Sequence, residues 1–227
     1  MRRCRDAGRR GDLRDSGGAS AGATGRGHVA VTVSRRALLR VGIMAGVWTL
    51  GTNGVRSIAA SEQPSFVQPR LSWGAAPPGP GLRQHTIARV TLHHTGPPPW
   101  YGAPDAAAYL QGIQAFHMGP ERRWPDIAYH LLVDLDGVVW EGRSLAVAGD
   151  SATPYDTTGH ALVAVLGDYD LQHPNDAQRA AVMETVRWLG VRWNVKAAMV
   201  GGHRDYAATA CPGEHLYALL PAIRAAL

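Results

Sequence analysis

A chain of 227 residues with 45% hydrophobic side chains, two cysteines and a net charge of +5 is long enough for one domain with a sizeable core and too poor in cysteine for a disulfide scaffold. The charge is unevenly placed: residues 1–59 hold 11 Arg against 3 Asp, a net of +8, leaving 12 basic against 15 acidic side chains, a net of −3, from residue 60 onward. The basic balance therefore belongs to a leader, and a nucleic-acid partner is excluded as its explanation.

Residues before Ser34 are rich in Arg, Gly and Ala without apolar periodicity and read as disordered. Ser34-Arg35-Arg36-Ala37-Leu38-Leu39-Arg40, followed by the apolar run Val41 to Leu50, reads as a twin-arginine export signal with a small-residue cleavage site at Ser57-Ile58-Ala59. The run is short and broken by Gly, so no stable membrane insertion is expected after cleavage. The product is expected to be extracellular, periplasmic or cell-wall associated. The organisation is then a leader over 1–59, an extended Pro- and Gly-rich segment over 60–84, and one domain over 85–227.

Ile87 to His93 is apolar and β-branched enough for a buried strand, with His93 at its C-terminal end. Gly96-Pro97-Pro98-Pro99-Trp100-Tyr101 follows, either an aromatic wall for a ligand or a stiff exposed loop. Asp105 to His117 has Ala108, Leu110, Ile113 and Phe116 at helical spacing, a stripe expected to enter the core. Ala128 to Val133 and Val138 to Glu141 flank an Asp136-Gly137 turn and read as a hairpin. Ala161 to Gly167 is a second buried strand. Asn175 with Gln178 resembles a capping box opening a helix to about Trp193. Met199 to Gly201 predicts a short strand delivering His203, and Glu214 to Ala226 a last helix kinked at Pro221. The order predicts an α/β fold: one domain with a central mixed sheet flanked by about three helices.

His93, His203 and Cys211 together offer two imidazoles and one thiol, a set that suits zinc and leaves a fourth position free. With the leader removed, Cys211 has no disulfide partner, and metal coordination protects such a thiol. The bland alternative is a buried small hydrophobe. His94 follows His93 on the strand and points to the opposite face. His117 and His130 read as structural, His160 and His173 as surface or loop residues.

Four blocks carry a resemblance: Arg70-Leu71-Ser72-Trp73-Gly74-Ala75, Leu92-His93-His94-Thr95, the stretch from Phe116-His117-Met118 through Trp124-Pro125-Asp126-Ile127-Ala128-Tyr129-His130 to Glu141-Gly142-Arg143, and Gly202-His203-Arg204-Asp205 with Thr209-Ala210-Cys211-Pro212-Gly213. Their order resembles the zinc-dependent N-acetylmuramoyl-L-alanine amidases that share a fold with peptidoglycan recognition proteins. The resemblance implies one Zn2+ per chain on His93, His203 and Cys211, Tyr129 beside it, Thr209 where the family has Lys or Thr, and peptidoglycan or a muropeptide as substrate, cut between N-acetylmuramic acid and L-alanine. Tyr129 and Thr209 are the expected catalytic side chains, and Trp100, Tyr101 and Arg143 the expected substrate contacts. Asp205 either supports His203 or caps its loop. A monomer is expected.

The chain departs from the family where Gly149-Asp150-Ser151-Ala152-Thr153-Pro154-Tyr155-Asp156 lacks a His before the tyrosine. No general base is evident. Three other readings remain open: a recognition module without catalysis, a cysteine hydrolase using Cys211 with a His, and, more remotely, a serine hydrolase of Ser151, His160 and an Asp, which lacks the Gly-x-Ser-x-Gly elbow.

Overall fold

The computed structural model describes residues 63–227. The twin-arginine segment, its cleavage site and Cys4 lie outside the described residues. Six strands, β1 (Val67–Gln68), β2 (Arg89–His94), β3 (Leu131–Val133), β4 (Val139–Glu141), β5 (His160–Val165) and β6 (Val200–Gly202), form one sheet in the order β1-β4-β3-β5-β2-β6. The β3–β4 hairpin is antiparallel and every other pairing is parallel. The helices are α1 (Ala106–Met118), α2 (Asp176–Trp193), α3 (Glu214–Tyr217) and α4 (Leu220–Ala225), so the expected mixed α/β architecture is the one observed.

Central parallel strands are covered on both faces, which is why β2 and β5 read as continuous apolar runs. Period-two alternation still sorts their side chains. Val90, Leu92, Leu131, Val133, Ala161, Val163 and Val165 join Val182, Val186, Leu189, Leu220 and Ile223 in a core under α2 and α4. Leu132, Ala164 and Leu166 face Leu110, Ile127, Trp73 and Trp100 on the α1 side. Each buried Val, Leu or Ile side chain among them contributes roughly 1.5–3 kcal/mol of transfer free energy.

The helix ends follow local rules. Asn175 and Gln178 exchange both capping-box hydrogen bonds at the start of α2, and Asp105 accepts from the Ala108 N–H at 2.8 Å at the start of α1. The predicted C-terminal helix is two short ones. Pro221 sits in the first turn of α4, where its missing N–H leaves no bond unmade, so it opens a helix rather than kinking one.

The stripe on α1 needs a second correction. Its buried face is Leu110, Gln114 and His117, while Ala108 and Phe116 are exposed. Polar Gln114 is buried because its amide donates to Asp126 Oδ1 at 2.7 Å and accepts from the Ala76 N–H at 2.8 Å. His160 is likewise no loop residue: it opens β5, is buried, and its Nδ1 lies 2.7 Å from Thr91 Oγ1.

Three structural imidazoles are held neutral. His130 accepts from the Leu162 N–H at Nδ1 (2.8 Å) and donates from Nε2 to the Val147 carbonyl (2.9 Å), and burial pushes its pKa down to about 3. Burial also takes His117 and His160 down to about 4. A histidine with a depressed native pKa binds fewer protons folded than unfolded, so stability is full above the unfolded value near 6.5 and falls as pH drops below it. Urea unfolding is expected to give a level stability above pH 6.5 and a decline toward pH 5, before carboxylates titrate, approaching about 1.4 kcal/mol per pH unit for each such histidine. Equal stability at pH 7 and pH 5 would contradict their neutral burial.

Candidate metal centre

The sheet register builds the site. β2 pairs in parallel with β6, Leu92 opposite Gly202, so the next residue of each chain segment, His93 and His203, emerges side by side at the carboxyl end of the sheet. Their rings stand 4.6 Å apart. On the other flank His93 is opposite Ala164 of β5, a methyl that leaves the imidazole room. The chain then folds back through a tight loop in which the Arg204 N–H donates to the Cys211 carbonyl at 2.9 Å. At Gly213 (φ +87°) a Cβ would lie 2.4 Å from the Tyr169 carbonyl carbon, so glycine is required for the loop to pass. Asp205 caps this loop, accepting from the Gly202 N–H at 2.9 Å and the Tyr217 hydroxyl at 2.6 Å. Of its two expected roles, loop capping is the one its bonds support.

The result is one ligand atom each from His93, His203 and Cys211, all within 4.8 Å of one another. Cys211 Sγ is 3.5 Å from His93 Nδ1 and 3.5 Å from the His94 backbone N–H. Burial holds His93 well below the ordinary imidazole range, burial and nearby His94 take His203 down to about 4, and burial pushes the Cys211 thiol up to about 12. With no cation present the three donors are uncharged at neutral pH. Two neutral imidazoles and one thiol fit a divalent transition metal that accepts both nitrogen and sulfur, and its charge would make the thiolate the favoured form. His94 stands apart, its Nδ1 accepting from the Tyr169 N–H at 3.2 Å and lying 3.8 Å from Asp168. The carboxylates beside it accept from backbone, Asp168 from the Asp170 N–H and Asp170 from the Glu214 N–H.

A cavity of about 250 Å³ opens over the three donors, with Tyr129, Thr209, Arg122 and Trp124 in its wall. The Tyr129 ring is 5.4 Å from that of His93, and burial raises its phenol pKa, keeping the hydroxyl a proton donor. Thr209 Oγ1 accepts from the Cys211 N–H at 3.2 Å, which leaves its own proton free to point into the cavity. An adjoining apolar cavity of about 330 Å³ shares Thr95, Phe116, His117 and Tyr129 with the first and runs along α1 past Tyr109, Gly112 and Ile113. The exposed half of the α1 stripe is therefore the wall of a groove.

Two expected substrate contacts are corrected. Trp100 is only 5% exposed; its ring stacks 5.2 Å from Tyr109, its indole donates to the Pro104 carbonyl at 3.1 Å, and Gln172 clamps its backbone on both sides. It is the core of its loop, while Tyr101 beside it is 76% exposed. Arg143 is 2% exposed and donates to the carbonyls of Ile127 (2.8 Å), Ala148 (2.7 Å) and Asp126 (2.9 Å). Its Nη2 also lies 2.6 Å from Asp150 Oδ2. The guanidinium fastens the segment that follows, and its contacts run to the protein interior.

That segment holds residues the sequence did not connect with the metal ligands. Thr153 Oγ1 lies 2.6 Å and Ser151 Oγ 3.3 Å from His203 Nε2, and the Tyr155 hydroxyl 3.3 Å from His93 Nε2. The signal available was the departure at 149–156, where hydroxyl residues stand close together.

If Arg143 is structural, Arg143→Ala is expected to lower the unfolding free energy by about 3 kcal/mol, the usual cost of breaking a buried charged network; an unchanged urea midpoint would return it to the ligand contacts. Because the imidazoles are already neutral and the thiol is not ionised, loading cobalt(II) onto the metal-free chain at pH 7.5 is expected to release about one proton per chain. Titration in buffers of different ionisation enthalpy measures this, and Cys211→Ala should abolish it.

Comparison with known proteins follows the same geometry. A family model described as N-acetylmuramoyl-L-alanine amidase matches residues 83–214. Over 160 residues the chain is 32% identical to the N-acetylmuramoyl-L-alanine amidase of Homo sapiens, covering 68% of this chain and 27% of that protein. Over 173 residues it is 30% identical to peptidoglycan-recognition protein SD of Drosophila simulans, covering 74% and 90% respectively. The chain thus spans about a quarter of the length of the human and pig amidases it matches. Among solved structures, Drosophila PGRP-SD superposes with a TM-score of 0.62 at 27% identity, over 68% of this chain and 92% of that one. Human PGRP-IBETAC in complex with glycosamyl muramyl pentapeptide gives 0.61 at 25% identity, over 69% and 95%. Matched by the family model over more than half its length, the chain belongs to the N-acetylmuramoyl-L-alanine amidase family.

Proposed function

We propose that this protein is a zinc-dependent amidase that cuts peptidoglycan between N-acetylmuramic acid and the L-alanine of the stem peptide. The observation that carries the reading is the convergence of His93, His203 and Cys211, within 4.8 Å of one another, on a cavity walled by Tyr129. Zinc bound there supplies Lewis acidity toward the scissile carbonyl and the attacking water. Tyr129, kept protonated by burial, donates a hydrogen bond to the carbonyl oxygen as negative charge develops on it, a contribution of about 3 kcal/mol. Thr209, its acceptor side turned to the Cys211 N–H, offers its hydroxyl as a hydrogen-bond donor that orients the water or the departing amine. The groove along α1 suits the stem peptide or glycan, and Tyr101 is exposed and open to the same ligand. Export by the twin-arginine leader to the cell wall belongs to the same proposal.

A recognition module of the same fold is the second reading, and one observation favours it. Asp150, the one carboxylate among the described residues lining the metal cavity, is held 2.6 Å from Arg143 rather than free to take a proton from water.

The deciding experiment takes the 227-residue chain, measures zinc per chain, and assays stem-peptide release from peptidoglycan with the wild type, Tyr129→Phe and Cys211→Ala. About one zinc per chain is expected, with release that Cys211→Ala abolishes and Tyr129→Phe slows about 100-fold without loss of zinc. Binding of muropeptide without release would establish the recognition module. Release that survives removal of the metal would sink the metal mechanism.

A further inference from the structure

We infer that the segment Ser151 to Tyr155 is an outer support for the metal ligands, in which the hydroxyls of Thr153 and Tyr155 fix both imidazoles with Nδ1 turned toward the metal. The inference rests on the metal-centre reading above and adds to it the atoms and residues that set its affinity. Each imidazole has two nitrogens, and a metal takes the one that carries the lone pair while the other keeps its proton. On both histidines the Nε2 atom is already spoken for. Thr153 Oγ1 is 2.6 Å from His203 Nε2 and the Tyr155 hydroxyl 3.3 Å from His93 Nε2, whereas His93 Nδ1 faces Cys211 Sγ at 3.5 Å. If His203 Nε2–H donates to Thr153, the Thr153 hydroxyl is free to donate to Ser151 Oγ at 2.8 Å, and Ser151 also accepts from the Thr153 N–H at 3.2 Å. The proton directions along this chain are mutually consistent.

The support is itself fastened. Asp150 lies 2.6 Å from the buried guanidinium of Arg143, and Thr157 donates to the Gly149 carbonyl at 2.6 Å, closing the segment at both ends. Tyr155 is wedged by its ring, stacked 5.8 Å from Tyr206 and edge-on 5.4 Å from His160, so its hydroxyl has one place to be. A metal-ligating imidazole held by a partner on its far nitrogen loses less orientation on binding and is a better donor, an effect usually worth 10- to 100-fold in affinity. Thr153 and Tyr155 are positioning residues by this account, acting through His203 and His93.

The test is zinc affinity of the full chain by competition with a chromophoric chelator, for the wild type, Thr153→Val, Thr153→Ser and Tyr155→Phe, each first checked for native circular dichroism. Thr153→Val, which keeps shape and removes the hydroxyl, is expected to weaken zinc binding 10-fold or more; Thr153→Ser should restore most of it; Tyr155→Phe, which keeps the ring wedge, should cost less because its contact is longer. Long-range ¹H–¹⁵N correlation on the metal-free protein should show His203 as the Nε2–H tautomer in the wild type and a mixture in Thr153→Val. Wild-type affinity in both Thr153→Val and Tyr155→Phe, or an Nδ1–H tautomer of His203, overturns the inference while leaving the metal centre in place. A wild type that binds no zinc overturns both. If Thr153→Val does not fold, Tyr155→Phe and the tautomer measurement carry the decision alone.

Discussion

The parallel pairing of β2 with β6 is the constraint on which the site depends. These strands lie more than 100 residues apart in the chain, yet their register sets Leu92 against Gly202 and so brings His93 and His203 out on the same side at the same height. A slip of one residue would turn His93 to the α2 face and His94 to the cavity, because side chains alternate strictly along a strand. The register is held from the opposite flank by six paired positions with β5, whose residues are buried along its whole length. The apolar core thus does more than stabilise the fold: it fixes a distance between two imidazoles that the chain has no local means of setting.

Around this pair the charges are arranged by exclusion. Among the carboxylates near the donors, Asp150 is matched to Arg143, Asp168 accepts from the Asp170 N–H, and Asp170 and Asp205 accept from the Glu214 N–H and the Tyr217 hydroxyl of α3. Apart from the Cys211 thiol, what remains in contact with the imidazoles is hydroxyl and aromatic. A buried thiol and two buried neutral imidazoles make a site that gains most from a cation, since the cation supplies the charge that burial otherwise forbids. The buried guanidinium of Arg143 serves this arrangement from a distance, by fixing the segment whose hydroxyls meet the ligands.

The places where sequence reasoning went astray share a cause. Trp100 and Arg143 were expected to meet a ligand because aromatic and cationic side chains near a candidate site often do, but each found partners inside the protein: Gln172, Tyr109 and the Pro104 carbonyl for one, three backbone carbonyls and Asp150 for the other. Helical periodicity located α1 but not its orientation, since Gln114 is buried by hydrogen bonds to Asp126 and Ala76 that no hydrophobic pattern encodes, and this turns Phe116 and Ala108 outward. His160 reads from sequence as a surface or loop residue because a lone histidine at a strand start carries no signal of the Thr91 hydroxyl opposite it.

By itself the sequence determined the kinds of donor available, two imidazoles and a thiol in motifs whose order resembles one family, and it determined the sheet-forming and helix-forming segments, because apolar periodicity and capping are local properties written in neighbouring residues. The tertiary structure alone decided which nitrogen of each imidazole faces the thiol or the hydroxyls, which polar side chains are used up in the interior, and which face of α1 walls the groove. The imidazole contacts join residues 50 to 118 positions apart, those that bury Gln114 and Arg143 join different elements, and a strand register fixed by the whole core has no signature in any one stretch of chain.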